Sequence, residues 1–410
     1  MEDEAAPTIF VSIPSYRDPE APYTIRSLFR SASDPSRIHV GVCFQCDDEE
    51  DAPCYDLSLL DQWCVNNVRT LRIHWKEAKG PVWARHLIET QLFKDEDYFL
   101  QIDSHTRFSM GWDEELIDML EARCDSPKPV ITTYPLPYEG LGEESICSEE
   151  EHMTILCTKP QDAPPSKGAQ GPTNSPAFGS ADGMLRFRAR LLKHTPSFPI
   201  PTAFWAAGFS FSSGKRVREV PYDPYLPFLF FGEEISMALR MWTRGYDLFA
   251  PDRHIAYHLW SRDHRVGTFW EVQGGKDLKA ASQARVRQLL TGQKLTKVEE
   301  VEVAISDPSP RAASSKAPPD ATDKVWGLGT ARSLRMYEEF SGVDFTSKTV
   351  SPQAERGGMP TEECFWDRFA SLQAMIEALP SAAADISDGK KGEDDEELDV
   401  SERIVEVDKA

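Results

Sequence analysis

The feature that most constrains the fold of this 410-residue chain is the alternation of apolar runs with amphipathic stretches along its first third. Runs such as "TIFVSIP", "RIHVGVCFQ" and "DYFLQID" have the length and composition of strands that are buried on both faces. The stretches between them have the apolar spacing of helices. Strands that alternate with helices are typical of a parallel sheet, so we predict an α/β fold with a mainly parallel sheet flanked by helices.

Two candidate metal ligands follow the fourth predicted strand in the segment "YFLQIDSHTR". Alternate residues of an extended segment project to the same side, so Asp103 and His105 could hold one metal ion. They lie at the carboxyl end of a strand, where ligands bind in open parallel sheets. An aspartate at a strand end is also common in turns, where its side chain binds nearby backbone. The pair alone therefore leaves a metal site and a turn as alternatives.

A third ligand is expected in the segment "PDRHIAYHLWSRDHR". If this segment is extended, His254 and His258 project the same way, and Arg262 and Arg265 could lie near phosphate. The alternative is that His258 is a core histidine in an aromatic strand. A mixed set of carboxylate and imidazole ligands suits Mn²⁺, or another divalent cation such as Mg²⁺, better than Ca²⁺.

The charge of the chain limits its partners. A net charge of −22 makes nucleic acid and an anionic membrane surface poor partners, because both would be repelled. No apolar stretch approaches the roughly twenty residues that span a bilayer, and the first residues, "MEDEAAP", are acidic where a signal peptide would be basic and then apolar. The chain has no N-x-S/T sequon, and its eight cysteines are scattered, which agrees with a reducing, cytoplasmic location.

Four cysteines offer a different metal site. Cys43 and Cys46 form a CxxC motif, and Cys54 and Cys64 follow it. Four cysteines could hold zinc if they converged, but the spacing fits no compact zinc motif well. Cys43 also lies inside an apolar run, where a buried strand residue is the simpler interpretation.

The ordered series of motifs resembles glycosyltransferase family sixty over about residues 8 to 345, apart from 139–182. The motifs that carry the resemblance are "IFVSIPSYRD", "GPVWARHLIETQLFKDEDYFLQIDSHTRF", "FWAAGFSFSS", "FLFFGEEISMALRMWTRGYDLFAPDRHIAYHLWSR" and "GLGTARSLRMYEEFSGVDF". The resemblance implies a GT-A type fold and transfer of N-acetylglucosamine from UDP-GlcNAc, with retention of configuration, in the cytoplasm. It also implies that the acceptor is a hydroxyproline on the Skp subunit of SCF ubiquitin ligases.

The central part also resembles the polypeptide N-acetylgalactosaminyltransferases, which share a D-S-H motif, a later G-G-E helix segment and a downstream histidine ligand. The resemblance implies that Asp103, His105 and His258 hold a manganese-type ion. It makes Glu233 and Glu234, with Asp103 and His105, candidate catalytic residues, although "FGEE" replaces G-G-E. The two glutamates have another explanation, because acidic residues are favourable in the first turn of a helix.

The nucleotide is expected near the first two strand ends. The uridine site is predicted to include Ser12, Pro14, Tyr16 and Arg17, with Asp47 or Asp48 after the second strand. The diphosphate or sugar is predicted to contact Arg85 and Arg262. Arg85 lies near the start of a helix, where free N–H groups attract phosphate, but an exposed or paired helix arginine is the alternative. The segment "HLWSRDHRVGTFW" is a candidate lid.

The domain prediction assigns residues 1–345 to the GT-A catalytic domain. Within it, 139–182 is rich in Gly, Pro, Ser and charge and is predicted to be a surface excursion, and 304–322 is linker-like. Residues 346–382 are predicted to be a helical extension, whose apolar face suggests a homodimer, and 383–410 an acidic disordered tail.

Two other functions are open at this level. A nucleotidyltransferase would use a similar sheet and metal, but it usually needs a Gly-rich phosphate loop after the first strand, and "SIPSYRDPE" has none. A non-catalytic binding protein with a transferase-like fold should have a broken ligand set, whereas all three candidate ligands are present here. A UDP-sugar transferase with another protein acceptor is a third possibility.

Overall fold

A computed structural model describes residues 6–158, 177–192, 195–272, 275–295 and 321–359. Within these ranges the strands are β1 Ile9–Tyr16, β2 Ile38–Cys46, β3 Val68–His74, β4 Tyr98–Ile102, β5 Thr106–Phe108, β6 Pro129–Thr132, β7 Leu136–Glu139, β8 Ile146–Cys147, β9 Thr154–Cys157, β10 Arg188–Leu191, β11 Ile200–Pro201, β12 Phe209–Ser213, β13 Asp247–Ala250, β14 Ala256–His258, β15 Val343–Asp344 and β16 Thr349–Val350. The helices are α1 Ala21–Ser31, α2 Gln62–Asn66, α3 Pro81–Gln91, α4 Trp112–Asp118, α5 Lys215–Glu219, α6 Glu233–Thr243, α7 Gly275–Leu290, α8 Ala321–Trp326 and α9 Leu334–Ser341.

The main sheet has the strand order β11-β13-β6-β12-β4-β1-β2-β3. Strands β4, β1, β2 and β3 run parallel to their neighbours in this group, and β13 runs parallel to β6. β12 is antiparallel to both β4 and β6, and β11 is antiparallel to β13. The mainly parallel α/β sheet predicted from the alternation of strands and helices is confirmed.

Helices cover both faces of this sheet. Ile9 and Val11 of β1 belong to an apolar cluster that includes Ile25 of α1. Phe10, which points to the other face, belongs to a cluster with Ile88 of α3. Both faces of β1 are therefore buried, which is why its sequence is apolar without polar alternation.

A second sheet lies beside the carboxyl end of β4 and has the order β5-β14-β7-β8. Three residues separate the end of β4 from the start of β5, and β5 pairs with β14 in antiparallel register. That register places His258 opposite Thr106. Because Thr106 directly follows His105, backbone pairing alone brings two of the candidate ligands together.

Several predicted elements differ from the structure. The strand expected in "TAFWAAGFSFSS" begins only at Phe209. Before Phe209 the backbone forms hydrogen bonds with side chains instead of pairing with a neighbouring strand. Ala206 N–H, for example, donates to Thr132 Oγ1 at 2.9 Å. The predicted strand "MLRFRARLL" is confined to β10, and the helix predicted in "DLSLLDQWCV" is the short α2.

The predicted surface excursion 139–182 is partly wrong. It contains β8 and β9, and β9 pairs with β10 as a wholly buried strand. Tertiary contacts override the polar composition here, because Ile155 and Leu156 of β9 belong to the largest apolar cluster. Residues 159–176 lie outside the described part of the chain.

The carboxyl-terminal predictions are tested only in part. Residues 346–359 form β16 and a 3₁₀ turn at Ala354–Arg356 in place of the predicted helix. The rest of the 346–382 prediction, the 383–410 tail and residues 304–320 of the linker-like stretch lie outside the described ranges, and 321–322 begin α8. No helix of the described ranges is both long and apolar enough to cross a bilayer.

Helix α9 packs on α6 through stacked aromatic rings. Phe340 lies 5.0 Å from Trp242 between ring centroids, with the ring planes 9° apart. Tyr337 donates its hydroxyl to the carbonyl of Ala203 at 2.8 Å. The segment that contains α9 therefore completes the core beneath the site-bearing helix α6.

Phe340→Ala is expected to lower the free energy of unfolding by about 3–5 kcal/mol, because it empties a ring-sized space against Trp242. Met336→Ala on the same helix is the control, since Met336 is 44% exposed, and it should change stability by less than about 0.5 kcal/mol. Urea denaturation measures both. Equal stabilities would show that α9 is peripheral.

Candidate active site

A cavity of about 330 Å³ opens beyond the carboxyl ends of β1 and β4. Residues from β1, from the loop after β4, from β14 and from the start of α6 line it together. Those with polar or aromatic side chains include Tyr16, Gln45, Arg85, Asp103, His105, Tyr134, Phe230, Glu233, Glu234, His258, Trp260, Arg262, Arg265 and Trp270.

Asp103, His105 and His258 converge in this cavity. Each offers one ligand atom, and the three atoms lie within 4.8 Å of one another. Asp103 Oδ2 is 3.3 Å from His258 Nε2, and the two imidazole rings are 4.5 Å apart between centroids. A carboxylate with two imidazoles is a donor set that fits Mn²⁺ or a similar divalent ion.

A second group of possible ligands shares His105 and adds Asp18 and His264. Asp18 Oδ2 is 2.7 Å from His105 Nδ1, so His105 donates to this carboxylate. Asp18 and His264 are not among the cavity-lining residues, whereas Asp103 and His258 are. The Asp103 group therefore faces the ligand space, and Asp18 lies behind His105.

The charge states of the cluster suit metal binding. Burial lowers the pKa of His105 to about 3, and the nearby positive charge of Arg265 adds to this effect. Burial raises the pKa of Asp103, but the hydrogen bond with His258 and the charge of Arg85 outweigh it and hold that pKa well below its ordinary value. A neutral imidazole and an ionised carboxylate are the forms that bind metal.

Arg85, which is predicted to contact the diphosphate, lines the cavity and is paired with two carboxylates. It is buried in α3, where Nη1 donates to Glu233 Oε1 at 2.6 Å and Nη2 donates to Asp103 Oδ1 at 2.7 Å. Arg85 lies on the buried face of α3, and its side chain extends between the two carboxylates. Each carboxylate accepts a hydrogen bond from one of the two terminal nitrogens of the guanidinium. Arg85 thus positions Asp103 with one oxygen turned toward the histidines.

Glu233 and Glu234 occupy the first turn of α6, after Gly232 at φ 108°. Glu233 is bound by Arg85 and by the hydroxyl of Tyr222 at 2.8 Å. Glu234 accepts from the Tyr134 hydroxyl at 2.6 Å and from Ala207 N–H at 3.0 Å. Burial raises the pKa of Glu233, and it raises the pKa of Glu234 to about 7.

The residues predicted for the nucleotide separate into two groups. Pro14, Tyr16 and Arg262 line the cavity, whereas Ser12, Arg17 and Asp48 are not among the lining residues. Ser12 is buried inside β1, and Arg17 binds Asp51 at 2.8 Å. Asp48 is exposed and pairs with Arg72 at 2.7 Å.

Tyr16 and the segment after β14 meet at the cavity. Tyr16 donates its hydroxyl to Glu271 Oε1 at 2.7 Å, and Arg17 Nη1 lies 3.5 Å from the same oxygen. Phe269 and Trp270, which end the predicted lid segment just before Glu271, line the cavity. The predicted lid segment therefore lies at the ligand space, and the residue that follows it is hydrogen-bonded to the end of β1.

Sequence reasoning missed Asp18, Gln45, Tyr134 and His264. Asp18 and Gln45 lie at or just after strand ends on the ligand edge of the sheet, a signal that could have identified them. None of the sequence motifs used for the prediction contains Tyr134. His254, which was predicted to accompany His258, is not among the cavity-lining residues.

The sequence matches the model of the family described as Glycosyltransferase (GlcNAc) over residues 8–66 and 60–347. The chain belongs to this glycosyltransferase family. The match covers most of the chain, and together with the sheet it confirms the predicted GT-A type fold. No curated protein matches the sequence.

Several solved structures resemble the chain, all at low identity. GalNAc-T7 with UDP, GalNAc and Mn²⁺ has a TM-score of 0.49 and 15% identity, covering 70% of this chain and 49% of that chain. TarS 1-349 of S. aureus with UDP-GlcNAc has a TM-score of 0.37 and 11% identity, and the match covers 70% of this chain and 68% of that chain. The mannosyltransferase PcManGT from Pyrobaculum calidifontis with GDP-Man and Mn²⁺ has a TM-score of 0.39 and 8% identity, and the match covers 72% of this chain and 68% of that chain. The chain thus spans about half the length of the GalNAc-T7 chain.

Arg85→Met is expected to lower the free energy of unfolding by about 3–5 kcal/mol at pH 8, because two carboxylates lose their shared cation in a buried site. Arg335→Met is the control: this exposed arginine pairs with Glu339 one helical turn away, and its loss should cost less than about 0.5 kcal/mol. Urea denaturation compares them. A cost for Arg85→Met as small as the control's would contradict the bridging role.

Glu234 should make the protein less stable as pH rises through the interval from 4.5 to about 7. In that interval the folded state holds a proton that the unfolded state has released, so raising the pH favours unfolding by on the order of 2 kcal/mol. Glu234→Gln removes the titrating group and should flatten this decline, whereas the exposed Glu114→Gln should not. Unfolding in urea at pH 5, 6.5 and 8 measures it, and parallel curves for all three proteins would refute the assignment.

Proposed function

We propose that this chain transfers N-acetylglucosamine from UDP-GlcNAc to a protein hydroxyl, with retention of configuration at the anomeric carbon. The observation that carries the proposal is the convergence of Asp103, His105 and His258 in the cavity of a chain that belongs to a GlcNAc glycosyltransferase family. The metal is proposed to be Mn²⁺ or another divalent cation such as Mg²⁺, held by these three side chains. When bound, it would neutralise the diphosphate of the donor and stabilise its departure.

The chain's own residues divide the remaining work. Pro14 and Tyr16 at the end of β1 are proposed to receive the uridine, and the half-buried side chain of Arg262 to face the diphosphate. Arg85 keeps Asp103 in place by binding its other oxygen. A donor bound between the aromatic walls of the cavity would be shielded from water, which would strengthen each of these electrostatic contacts.

Glu234 is proposed to orient the acceptor hydroxyl. It lines the cavity, and its carboxylate oxygens each accept one hydrogen bond, which leaves lone pairs that can accept from another hydroxyl. In the proposed transfer the acceptor oxygen bonds to the anomeric carbon as the bond from that carbon to the diphosphate breaks. The acceptor proton passes to the departing phosphate, so no protein base is required.

The acceptor is proposed to be a hydroxyproline of a cytoplasmic Skp-type protein, as the resemblance implies. The aromatic side chains in the cavity support an acceptor group carried on an apolar ring. The cytoplasmic location remains a prediction. The homodimer also remains a prediction, because the helix on which it rests lies outside the described residues.

Purified protein should release UDP from UDP-GlcNAc with Mn²⁺ and not with EDTA, and faster than from UDP-GalNAc, UDP-glucose or GDP-mannose. His258→Ala should lower this release at least about 100-fold, because one of three metal ligands is lost. His152→Ala is the control, since His152 is exposed and binds Glu150. If neither EDTA nor His258→Ala changes the rate of UDP release, the metal site is refuted.

The donor and acceptor proposals can fail separately. No turnover of any donor, together with no metal-dependent UDP binding, would favour a non-catalytic binding protein. UDP-GlcNAc hydrolysis without transfer to a hydroxylated Skp-type protein would keep the donor and reject the acceptor. The matched control for the acceptor is the same Skp-type protein without prolyl hydroxylation.

A further inference from the structure

Asp18 is a fully buried carboxylate in the turn between β1 and α1. Its Oδ2 accepts from Ser104 Oγ at 2.6 Å and from His105 Nδ1 at 2.7 Å. Its Oδ1 accepts from the backbone N–H of Glu20 at 3.0 Å and lies 3.2 Å from His264 Nε2. Arg265 Nε is 3.7 Å from Oδ2. Both oxygens therefore face groups that donate hydrogen bonds.

This arrangement determines which nitrogen of His105 carries the proton. An ionised carboxylate can only accept, so the ring must donate from Nδ1. The neutral ring then has no proton on Nε2, so that nitrogen can accept. Arg265 Nη2 lies 2.8 Å from it and also 2.8 Å from Nδ1. A metal bound to Nε2 beside Asp103 and His258 would take the place of this guanidinium contact. Carboxylate partners behind a metal-binding histidine fix its tautomer and its orientation in this way.

We propose that Asp18 is a positioning residue that fixes the tautomer and ring orientation of His105, and so sets the cation affinity of the site. The part that concerns the cation rests on the proposed function. The part that concerns the tautomer rests only on the hydrogen bonds of Asp18 and is independent of any metal.

Asp18→Asn distinguishes this role from a general contribution to packing. Glu20 N–H can only donate, so it requires an oxygen at the Oδ1 position. The asparagine carbonyl must take that position, which places the amide NH₂ against His105 Nδ1. An NH₂ group cannot accept, so His105 must accept with Nδ1 and carry its proton on Nε2. The substitution keeps the shape and inverts the tautomer.

The experiment has two readouts on the full chain. Long-range ¹H–¹⁵N spectra of metal-free, ¹⁵N-histidine-labelled protein report the tautomer, with His105 assigned among nine histidines by its loss in His105→Gln. Electron paramagnetic resonance of free Mn²⁺ reports the affinity. We expect an Nδ1–H ring in the unchanged protein, an Nε2–H ring in Asp18→Asn, and a Mn²⁺ dissociation constant that is about 10–100-fold higher in the variant.

Asp113→Asn is the matched control. Asp113 is also fully buried, and its two oxygens accept from the N–H groups of Ser33 and Asp34 at 2.7 and 3.1 Å. This variant should lose stability, because one N–H group must face an NH₂, yet it should keep the His105 tautomer and the Mn²⁺ affinity. A purely structural role of Asp18 would make the two variants behave alike.

The proposal is overturned if His105 in the unchanged protein carries its proton on Nε2, and this result needs no variant to fold. It is also overturned if Asp18→Asn keeps the Mn²⁺ dissociation constant within about twofold of a measurable original value. If the unchanged protein binds no Mn²⁺ at all, the metal of the proposed function fails. The tautomer comparison in the metal-free proteins then still decides the role of Asp18.

Discussion

One buried guanidinium holds the candidate site together. Arg85 binds Asp103 on one side and Glu233 on the other, so it joins the loop after β4 to the first turn of α6. Without a cation between them, these carboxylates would repel each other in a medium that screens charge poorly. The bridge fixes the oxygen of Asp103 that does not face the histidines, and it ties the first turn of α6 to the same guanidinium.

Around that bridge the site is assembled in layers. The backbone register between β5 and β14 brings His258 beside His105, and the side-chain hydrogen bonds of Asp18 and Arg85 then set the directions of His105 and Asp103. The layers differ in how well substitutions are tolerated. The register depends on many backbone bonds, whereas each orientation depends on one or two buried polar contacts that nothing else replaces.

The fold and the convergence of the three candidate ligands were predictable because both follow from local patterns. Buried parallel strands have continuous apolar sequences, and ligand residues follow them at the edge where the strands end. The role of Arg85 was not predictable, because its two partners lie 18 and 148 residues away along the chain. Asp18 follows a strand end and could have been identified as a site residue, but its partner His105 lies 87 residues away, so its role was not predictable. The buried strand β9 was hidden by the polar residues around it. Long-range polar contacts and tertiary burial leave little trace in local periodicity.

The hydrogen bond between Tyr16 and Glu271 has a consequence for ligand entry. Glu271 belongs to the same chain, so it competes for the tyrosine hydroxyl at a high effective concentration that dilution of the protein does not change. In the proposed function, a base that binds at the end of β1 would first displace this tethered carboxylate. Glu271 would then act as an internal competitor that weak or partial nucleotides displace poorly, and discrimination between ligands would begin before any of them reaches the three candidate metal ligands.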